Sequence, residues 1–444
     1  MHLLSLNVTA LIVSILRGSL KCYEPDDKSQ WRFSPFRDDS VWKAHGKLVG
    51  ASTRYLPGSF DRPPRDPAEK ISSGYKAWEY LLYVYGLLPG FLRINFPDRS
   101  PFYRHFCKLV LPARAALQHS IPHDQIAPMH QRFSEYVHEY EELYFEGRSE
   151  RLHFVRPCLH TLCHIFQEVE RTGPCTAYTQ WTLENFIGNI TRELKQHVTP
   201  YANLAERALR RCLINALKAL YPHIFDPPRP LPNTALKVLD APEGYILSHP
   251  RERNSRALTS ELEREALRQY LVSVQEPLGP DFHAVVQRWA RLYLPSGQIA
   301  RTLWKEGKAE ARGLQPRRAR MLGSTMYAEV QFFFQMRLTG PQAGVATLAM
   351  ISRFTAPDPR ILAETLGAVL ACTYRGSAAL SVVPVRYIKS VVAMVPLPLT
   401  RMEEESRIDL SQRYFVVEKP GLEIAMLAGR VPSLSDSDED LPIE

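Results

Sequence analysis

Apolar residues recur at helical spacing through most of the first 220 positions. The strongest patterns predict helices over 103–117 and 125–145, and the second pattern places Phe133 and Tyr136 on one face. Weaker patterns predict further helices over 72–88, 153–172, 181–196, 203–220, 258–271 and 282–294. The apolar stretch 3–16 is too short to span a bilayer, so we expect it to lie in the core.

The pattern changes near residue 322, where short runs rich in β-branched and aromatic residues replace the helical spacing. These runs predict strands at Glu329–Phe334, Ala346–Ile351, Leu380–Val383, Ser390–Val395 and Tyr414–Val417. Turn residues separate the runs at close intervals, which is typical of a small barrel or sandwich. The sequence therefore predicts an α+β protein that is mainly α-helical and ends in a small β-rich, barrel-like domain.

Proline placement divides the chain into segments. The chain has 35 Pro against 22 Gly, and proline removes a backbone donor and disfavours helix. Residues 24–70 are polar and Pro-rich, Pro89-Gly90 should end a helix, and the prolines at 226–232 form the clearest linker. The predicted segments are a core segment and Pro-rich loop at 1–70, a helical region at 71–222, a linker at 223–240, a helical and basic segment at 241–321, a β-rich domain at 322–430 and an acidic, disordered tail at 431–444.

Composition excludes some classes of protein and permits others. Hydrophobic residues make up 45% and charged residues 23%, which excludes global disorder and a multi-span membrane protein. A net charge of +8 permits an anionic partner such as DNA without requiring one. Seven Cys without a C-x-x-C pair indicate reduced thiols, so we expect a nuclear or cytoplasmic protein that is not secreted and needs no membrane.

Two histidines are the first candidates for chemistry. His160 and His164 lie four residues apart on a predicted helix, and two neutral imidazoles at that spacing can share a Zn ion. The alternative is a packed pair that bonds to backbone or to a carboxylate. The remaining ligands of a tetrahedral site cannot be named from the sequence, which favours the alternative.

Acidic and basic residues supply the other candidates. Glu184 lies on the helix predicted over 181–196, where a lone Glu is usually a surface residue. On the next helix, Asn203 is the expected N-cap and the apolar residues Leu204, Ala208, Leu213, Ala216, Leu217 and Leu220 are the expected inward face. The same helix carries Arg207, Arg210 and Arg211, which could contact phosphates or simply form a solvated face.

The densest basic stretch lies further on. It contains Arg317, Arg318 and Arg320, with Lys305, Lys308 and Arg312 upstream. Such a run is typical of a nucleic-acid or nuclear-import patch, although linkers are often as basic.

Several segments together resemble a known family. The chain reads Arg156-Pro-Cys-Leu-His-Thr-Leu-Cys-His164, then Gly173-Pro174, then Gln180-Trp-Thr-Leu-Glu-Asn-Phe-Ile-Gly-Asn189. This order resembles the catalytic region of fungal transposases of the Plavaka and Kyakuja-Dileera-Zisupton type, which are relatives of the CACTA transposases. The resemblance extends to the segments 55–64, 73–79, 200–205, 215–219 and 416–422, so it spans nearly the whole chain.

The resemblance implies a ribonuclease-H-like fold and Mg-dependent cleavage and transfer of DNA strands at transposon ends. Such enzymes use an Asp-Asp-Glu triad, whose hard oxygen ligands hold two Mg ions. By resemblance Glu184 is the final acid and a metal ligand. His160 and His164 would then support the site or hold Zn, and the Arg residues near 207–211 and 317–320 would contact DNA phosphates.

Departures from the family pattern change the expected activity. The family's Glu is followed by Arg, whereas Asn185 stands here, and the family's two Asp residues should precede Met1. Asp26, Asp27 and Asp61 lie in loop-like sequence and do not replace them. We therefore expect a truncated, inactive transposase-derived protein. The alternatives are a non-catalytic DNA- or chromatin-binding protein that uses the β-rich region as its reader, and a gene remnant without a selected function.

Overall fold

The computed structural model describes residues 2–60, 62–97, 99–194, 198–225, 233–279, 282–310, 319–322, 326–406 and 408–421. Over these ranges it shows an α+β protein. The predicted acidic tail, the prolines at 226–232 and residues 317 and 318 lie outside the described residues. Among the helices that are described, none is both long enough and apolar enough to cross a membrane.

Helices dominate the chain before residue 226. They are α1 Val8–Leu16, α2 Asp39–Ala51, α3 Pro67–Lys70, α4 Ala77–Leu81, α5 Leu88–Leu92, α6 Pro101–Ala116, α7 His123–Tyr140, α8 Pro157–Leu162, α9 Ile165–Thr172, α10 Trp181–Glu193, α11 Pro200–Leu220 and α12 Pro222–Phe225. Later helices are α13 Glu261–Ser273, α14 Leu303–Glu310, α15 Pro359–Glu364 and α16 Arg401–Glu405. Short π-helical turns cover Leu3–Asn7, Leu82–Leu87 and Glu141–Phe145.

The strands all follow residue 235 in the described parts of the chain. They are β1 Leu236–Lys237, β2 Ile246–Pro250, β3 Arg256–Ala257, β4 Val285–Val286, β5 Arg288–Tyr293, β6 Ile299–Arg301, β7 Ala319–Leu322, β8 Tyr327–Leu338, β9 Gly344–Arg353, β10 Ala371–Thr373, β11 Leu380–Pro384, β12 Ser390–Pro396 and β13 Arg413–Val417. The five runs predicted to be strands lie within β8, β9, β11, β12 and β13, so that part of the prediction is confirmed.

The helical region is built around α1, α6 and α7. Most of α1 is buried, as the apolar stretch 3–16 predicts. α6 and α7 pack through His105, whose ring stacks on Tyr136 with centroids 4.2 Å apart and whose Nε2 lies 2.8 Å from the Tyr136 carbonyl oxygen. On the rim of this contact, Lys108 forms ion pairs with Glu135 and Glu139.

The predicted loop at 1–70 is wrong in one part, because α2 is a helix of 13 residues inside it. Asp38 caps this helix by accepting from the backbone N–H groups of Ser40 and Val41. Trp42, His45 and Val49 form its buried face. The prolines lie before and after α2, so none of them interrupts this helix.

The predicted break at Pro89-Gly90 is also wrong, since the helical path runs through it into α5. Proline at position 89 cannot donate to the carbonyl of Tyr85, four residues earlier. Arg114 donates to that carbonyl instead, through Nε at 2.9 Å and Nη2 at 2.6 Å. A side chain from α6 therefore replaces the hydrogen bond that the proline removes.

Helix α11 differs from its prediction at its start and on its faces. It begins at Pro200, so Asn203 lies inside the helix, where its Oδ1 accepts from Arg207 Nε at 2.7 Å. The predicted inward face is only half-buried at Leu204, and Leu213 is 57% exposed. No residue of α11 is buried by other described residues, although Arg207 and Arg211 pair with Glu193 at the end of α10.

The strands form one antiparallel sheet with branches. Its main order is β1-β2-β5-β8-β7-β12-β13-β10, while β6 pairs with β5, β9 pairs with β8 and β11 pairs with β9. The predicted barrel does not close among the described strands. Only one isolated bridge, between Phe354 and Tyr374, joins the residue after β9 to the residue after β10 in the described chain. The segment that follows β9 then leads into α15. The ribonuclease-H-like fold stays a prediction.

The segment 241–321 is not simply helical. α13 and α14 are present, but the helix predicted over 282–294 is wrong, since β4 and β5 lie there. β5 pairs with β2 on one side and contacts β8 on the other, so Trp289, Ala290 and Leu292 are buried between neighbouring strands. These sheet partners explain the strand, because short apolar runs fit either structure until tertiary contacts select one.

The helices share a hydrophobic core with β10, β12 and β13 of the sheet. Phe415 of β13 packs against Phe91 of α5, with ring centroids 5.5 Å apart, and it also covers Gly90. Arg114 extends to the sheet side as well, where its Nη1 donates to the Ala368 carbonyl at 3.0 Å. The described helical region and the C-terminal strands are therefore packed as one body around these residues.

An ion-pair cluster fixes the same junction. The Glu403 carboxylate of α16 accepts from Arg93 Nη1 at 2.7 Å and from both terminal nitrogens of Arg413, each at 2.7 Å. Arg93 follows α5, whereas Arg413 begins β13, so the carboxylate links the helical region to the sheet. Burial raises the pKa of Glu403, but the hydrogen bonds from Arg413 and Arg93 outweigh it and hold that pKa well below its ordinary value.

Candidate nucleic-acid interface

The predicted histidine pair is formed but exposed. The Nε2 atoms of His160 and His164 lie 3.0 Å apart, and His164 Nδ1 lies 3.1 Å from Gln167 Oε1. Two imidazole nitrogens bound to one tetrahedral Zn would be about 3.3 Å apart, so the geometry fits two of four ligand positions. The described residues contain no group of three or more His, Cys, Asp or Glu that could hold a metal ion, so the other ligands are not supplied there.

Glu184 lies in the first turn of α10, on its exposed side. Its backbone N–H donates to the Gln180 carbonyl at 2.9 Å, which is an ordinary helical bond. No group of three or more His, Cys, Asp or Glu that could hold a metal ion includes Glu184 in the described ranges. An Asp-Asp-Glu triad is therefore not assembled around Glu184 among those residues.

Asp26 serves a structural role, in agreement with its exclusion from the triad. Its carboxylate accepts from Arg151 Nη2 at 2.7 Å, Arg151 Nε at 2.9 Å and Trp31 Nε1 at 3.0 Å. Hydrogen bonding from Arg151 is the largest influence on the pKa of Asp26 and lowers it. Asp27 caps a short turn by accepting from the Ser29 N–H, and Asp61 lies outside the described residues.

The predicted arginines of α11 are largely engaged within the protein. Arg211 and Arg207 form ion pairs with Glu193, the second with 3.5 Å between Nη1 and Oε2. Arg210 donates to Glu206 at 3.1 Å on the exposed side. These partners reduce the positive charge that α11 presents to an anion.

The second predicted basic patch is only partly visible. Arg317 and Arg318 lie outside the described residues, and the structure places the backbone of Arg320 in β7, paired with Val392 of β12. Its role in DNA binding stays a prediction.

A different basic surface is assembled around Trp304. We name it the Trp304 cluster, and its members are His249, Arg251, Arg291, Trp304, Lys305 and Lys308. Lys308 Nζ lies 4.1 Å from the centroid of the indole ring, and the Arg251 guanidinium carbon lies 5.3 Å from it. Such cation–π contacts hold flexible cations in place while leaving their charge available. The cluster thus combines fixed positive charge with an aromatic surface.

Strand pairing and one helix bring these residues together. β2 leads into His249 and Arg251, and its Ser248 pairs with Arg291 of β5. α14 then places Trp304, Lys305 and Lys308 beside the two strands. Arg251 is balanced in part by Glu252, whose Oε1 lies 3.6 Å from Arg251 Nε. Arg291 has no carboxylate partner within the described ranges, and its Nε is buried without an acceptor there.

His249 has an unusual backbone. Its φ is +60°, in the left-handed region that non-glycine residues rarely adopt, although it lies within β2. Such a conformation costs about 1–3 kcal/mol and is often found at functional sites. The pairing of β2 with β5 skips His249 but keeps the same register on both sides of it, and the side chain is exposed beside Lys305.

The charge of His249 is coupled to its neighbours. Its Nε2 lies 3.2 Å from Lys305 Nζ, and an ammonium can only donate, so Nε2 accepts and the ring is neutral. Burial and then the positive charges of Lys305, Arg291 and Lys308 lower the pKa of His249. An anion near these cations would reverse the repulsion and raise that pKa.

Sequence reasoning found part of this surface and missed the rest. Lys305 and Lys308 belong to the basic stretch that was recognised from sequence. Arg251 and Arg291 were missed because 40 residues separate them along the chain and the pairing of β2 with β5 joins them. The spacing of Trp304 and Lys308, one helical turn apart, is the signal that could have indicated an aromatic-supported cation.

Comparison with known protein families, with curated proteins and with solved structures found no match for this chain.

Proposed function

We propose that this chain is a transposase-derived protein that binds DNA without cleaving it, through the Trp304 cluster. The observation that carries the proposal is that Arg251 and Lys308 lie at one indole ring while Lys305 and Arg291 lie close to the neighbouring His249. Cations of this kind neutralise phosphates and release counterions, which supplies the sequence-independent part of DNA affinity.

The resemblance to fungal transposases supports the choice of DNA over other anions. By the same resemblance, the region 71–222 would correspond to the helical back half of a ribonuclease-H-like core, with Glu184 as the remaining acid. The parent reaction would be Mg-dependent strand cleavage and transfer. Because no group of three or more metal-binding residues includes Glu184 among the described residues, we propose that this chain does not catalyse that reaction by itself.

Zn at His160 and His164 remains a subsidiary proposal, since the described residues supply two of its ligands. A nuclear or cytoplasmic location also remains a proposal that follows from DNA binding.

Salt dependence of DNA binding tests the main proposal. Fluorescence anisotropy with a labelled duplex should show a linear fall of log K with log salt, with a slope of about −3.6 if the four cations each contact one phosphate. The double variant Lys305→Gln/Lys308→Gln should reduce the magnitude of that slope by about 1.8. A matched control is Lys43→Gln/Arg401→Gln, which removes the same charge from two exposed i,i+4 ion pairs elsewhere.

A pH series adds an independent readout. Phosphate beside His249 should raise its lowered pKa, so binding takes up a proton and affinity should rise as pH falls from about 7.5 to 6. His249→Gln should remove most of that rise.

Equal slopes in the cluster variant and the control variant would overturn the assignment of the surface. Mg-dependent nicking of the duplex that Glu184→Gln abolishes would overturn the non-catalytic part.

A further inference from the structure

A second candidate site lies in an open cleft of about 520 Å³. Its lining comes from the loop after β1, the turn between β8 and β9, α13 and the end of β11. Leu338 and Pro384 contribute apolar walls, while Asp240, Tyr270, Gln342 and Arg386 contribute polar groups. The volume lies within the range of small-molecule pockets.

Asp240 carries a fixed carboxylate in this cleft. Its Oδ2 accepts from the backbone N–H of Thr347 at 2.7 Å, which ties the side chain to β9. Its Oδ1 is buried and has no hydrogen-bond donor in the described parts of the chain. A buried carboxylate oxygen without a donor costs about 1–3 kcal/mol, so a positive charge of a ligand close to the Asp240 carboxylate would be favourable.

Arg386 supplies the opposite charge. It is half-buried, and its guanidinium carbon lies 5.4 Å from the centroid of the Tyr387 ring, without a carboxylate partner among the described residues. Asp240 and Arg386 do not form an ion pair with each other within those residues, although both line the cleft.

Tyr270 lines the same cleft and is influenced by both charges. Burial raises the pKa of its hydroxyl, and among the neighbouring charges Arg386 lowers it while Asp240 raises it. Both charges are therefore close enough to act on one phenol. The cleft thus presents a negative group, a positive group and a phenol hydroxyl along an apolar wall.

We propose that this cleft binds a small zwitterion with an apolar body, such as a free apolar α-amino acid or a short apolar peptide. The ligand's ammonium lies towards Asp240, its carboxylate towards Arg386 and its apolar part against Leu338 and Pro384. A ligand with a single charge leaves one of the two protein charges desolvated without a partner, which disfavours it.

Calorimetric titration of the full chain with defined probes tests the proposal. Leucine and leucyl-leucine carry both charges, leucinamide lacks the carboxylate, and 4-methylpentanoate lacks the ammonium. Either zwitterion should bind at concentrations up to about 10 mM, and each singly charged probe should bind at least about tenfold more weakly. The stronger of the two zwitterions identifies the source as an amino acid or a peptide.

Charge-removing variants assign the contacts. Asp240→Asn can still accept from Thr347 N–H, so the fold is kept, and it should weaken the zwitterion about tenfold or more while strengthening 4-methylpentanoate, which no longer leaves that carboxylate desolvated. Arg386→Gln should weaken the zwitterion by a similar factor and strengthen leucinamide for the corresponding reason. Asp39→Asn and Arg401→Gln remove like charges from exposed positions and should change nothing.

Three outcomes would overturn the proposal. The first is no binding of either zwitterion up to that concentration. The second is binding that survives both cleft variants, and the third is equal binding of leucine and leucinamide by the unmodified protein.

Discussion

Replacing Glu403 with Gln tests whether one carboxylate holds the helices to the sheet. In the native protein, four donors converge on its two oxygens, three from Arg93 and Arg413 and one from the Thr400 N–H at 3.0 Å. A glutamine has one acceptor oxygen, so its amide must face at least one arginine N–H. Three of the four donors, including Arg93 Nη1, bond to Oε2, so the glutamine oxygen best replaces Oε2 and its amide faces Arg413 Nη1. Arg93, which is 2% exposed, keeps its bond but loses the carboxylate charge, and its other carboxylate neighbour, Glu364, is 3.6 Å away.

The expected loss follows from these contacts. Hydrogen bonds to an ionised acceptor contribute about 1.5–3 kcal/mol, against about 0.5–1.5 kcal/mol for neutral acceptors. Losing one arginine bond and weakening two others by about 1–1.5 kcal/mol each therefore sums to about 3.5–6 kcal/mol. Removal of one partner from a buried ion pair typically has a similar cost.

Urea unfolding of Glu403→Gln beside Glu405→Gln measures this loss. Glu405 lies on the same helix in an exposed pair with Arg401, so its replacement should cost about 0.5 kcal/mol or less. Because the folded pKa of Glu403 is lowered, its contribution is complete above the unfolded pKa of about 4.3 and is lost as pH falls below it. The difference from the unmodified protein should therefore shrink in acid. A loss at neutral pH no larger than that of Glu405→Gln would refute the reasoning.

Two further predictions concern packing and a second buried ion pair. Gly90→Ala places a Cβ 2.6–2.8 Å from ring atoms of Phe415, so we expect a loss of about 1–3 kcal/mol in unfolding free energy. The control Gly188→Ala meets nothing within 4 Å and should gain up to about 1 kcal/mol, and equal effects of the two variants in urea unfolding would contradict the packing argument. Asp26→Asn should cost about 3–5 kcal/mol near neutral pH and progressively less in acid, because it leaves Arg151, 3% exposed, without its main carboxylate. A thermal melt unchanged from the unmodified protein would contradict that expectation.

The long elements were predictable because their signals are local. α6 and α7 have many apolar positions at one spacing, and the five β runs have β-branched residues bounded by turns. α2 was missed because polar residues and nearby prolines hide a capped helix. The segment 282–294 was misassigned because only pairing with β2 and β8 makes it a strand.

The candidate site could be predicted from local sequence signals even less completely than the fold. Lys305 and Lys308 could be recognised in sequence, since they form part of a basic run. The pairing of β2 with β5 brings Arg251 and Arg291 together, so the surface they share cannot be recognised from the sequence. The left-handed backbone conformation of His249 cannot be predicted from the sequence, because histidine is also found in ordinary strands. The unpaired charges of Asp240 and Arg386 depend likewise on where three separate elements meet.

The contact between Phe415 and Gly90 has a consequence for synthesis on the ribosome. The helices emerge first, but the strands that cover them are among the last described residues to leave the exit tunnel. About 300 residues separate α6 from β13, which at about 5–20 residues per second delays closure by about 15–60 s. During that interval the apolar face of the nascent helices is available to chaperones, so production of this protein should depend on them more than its finished surface suggests.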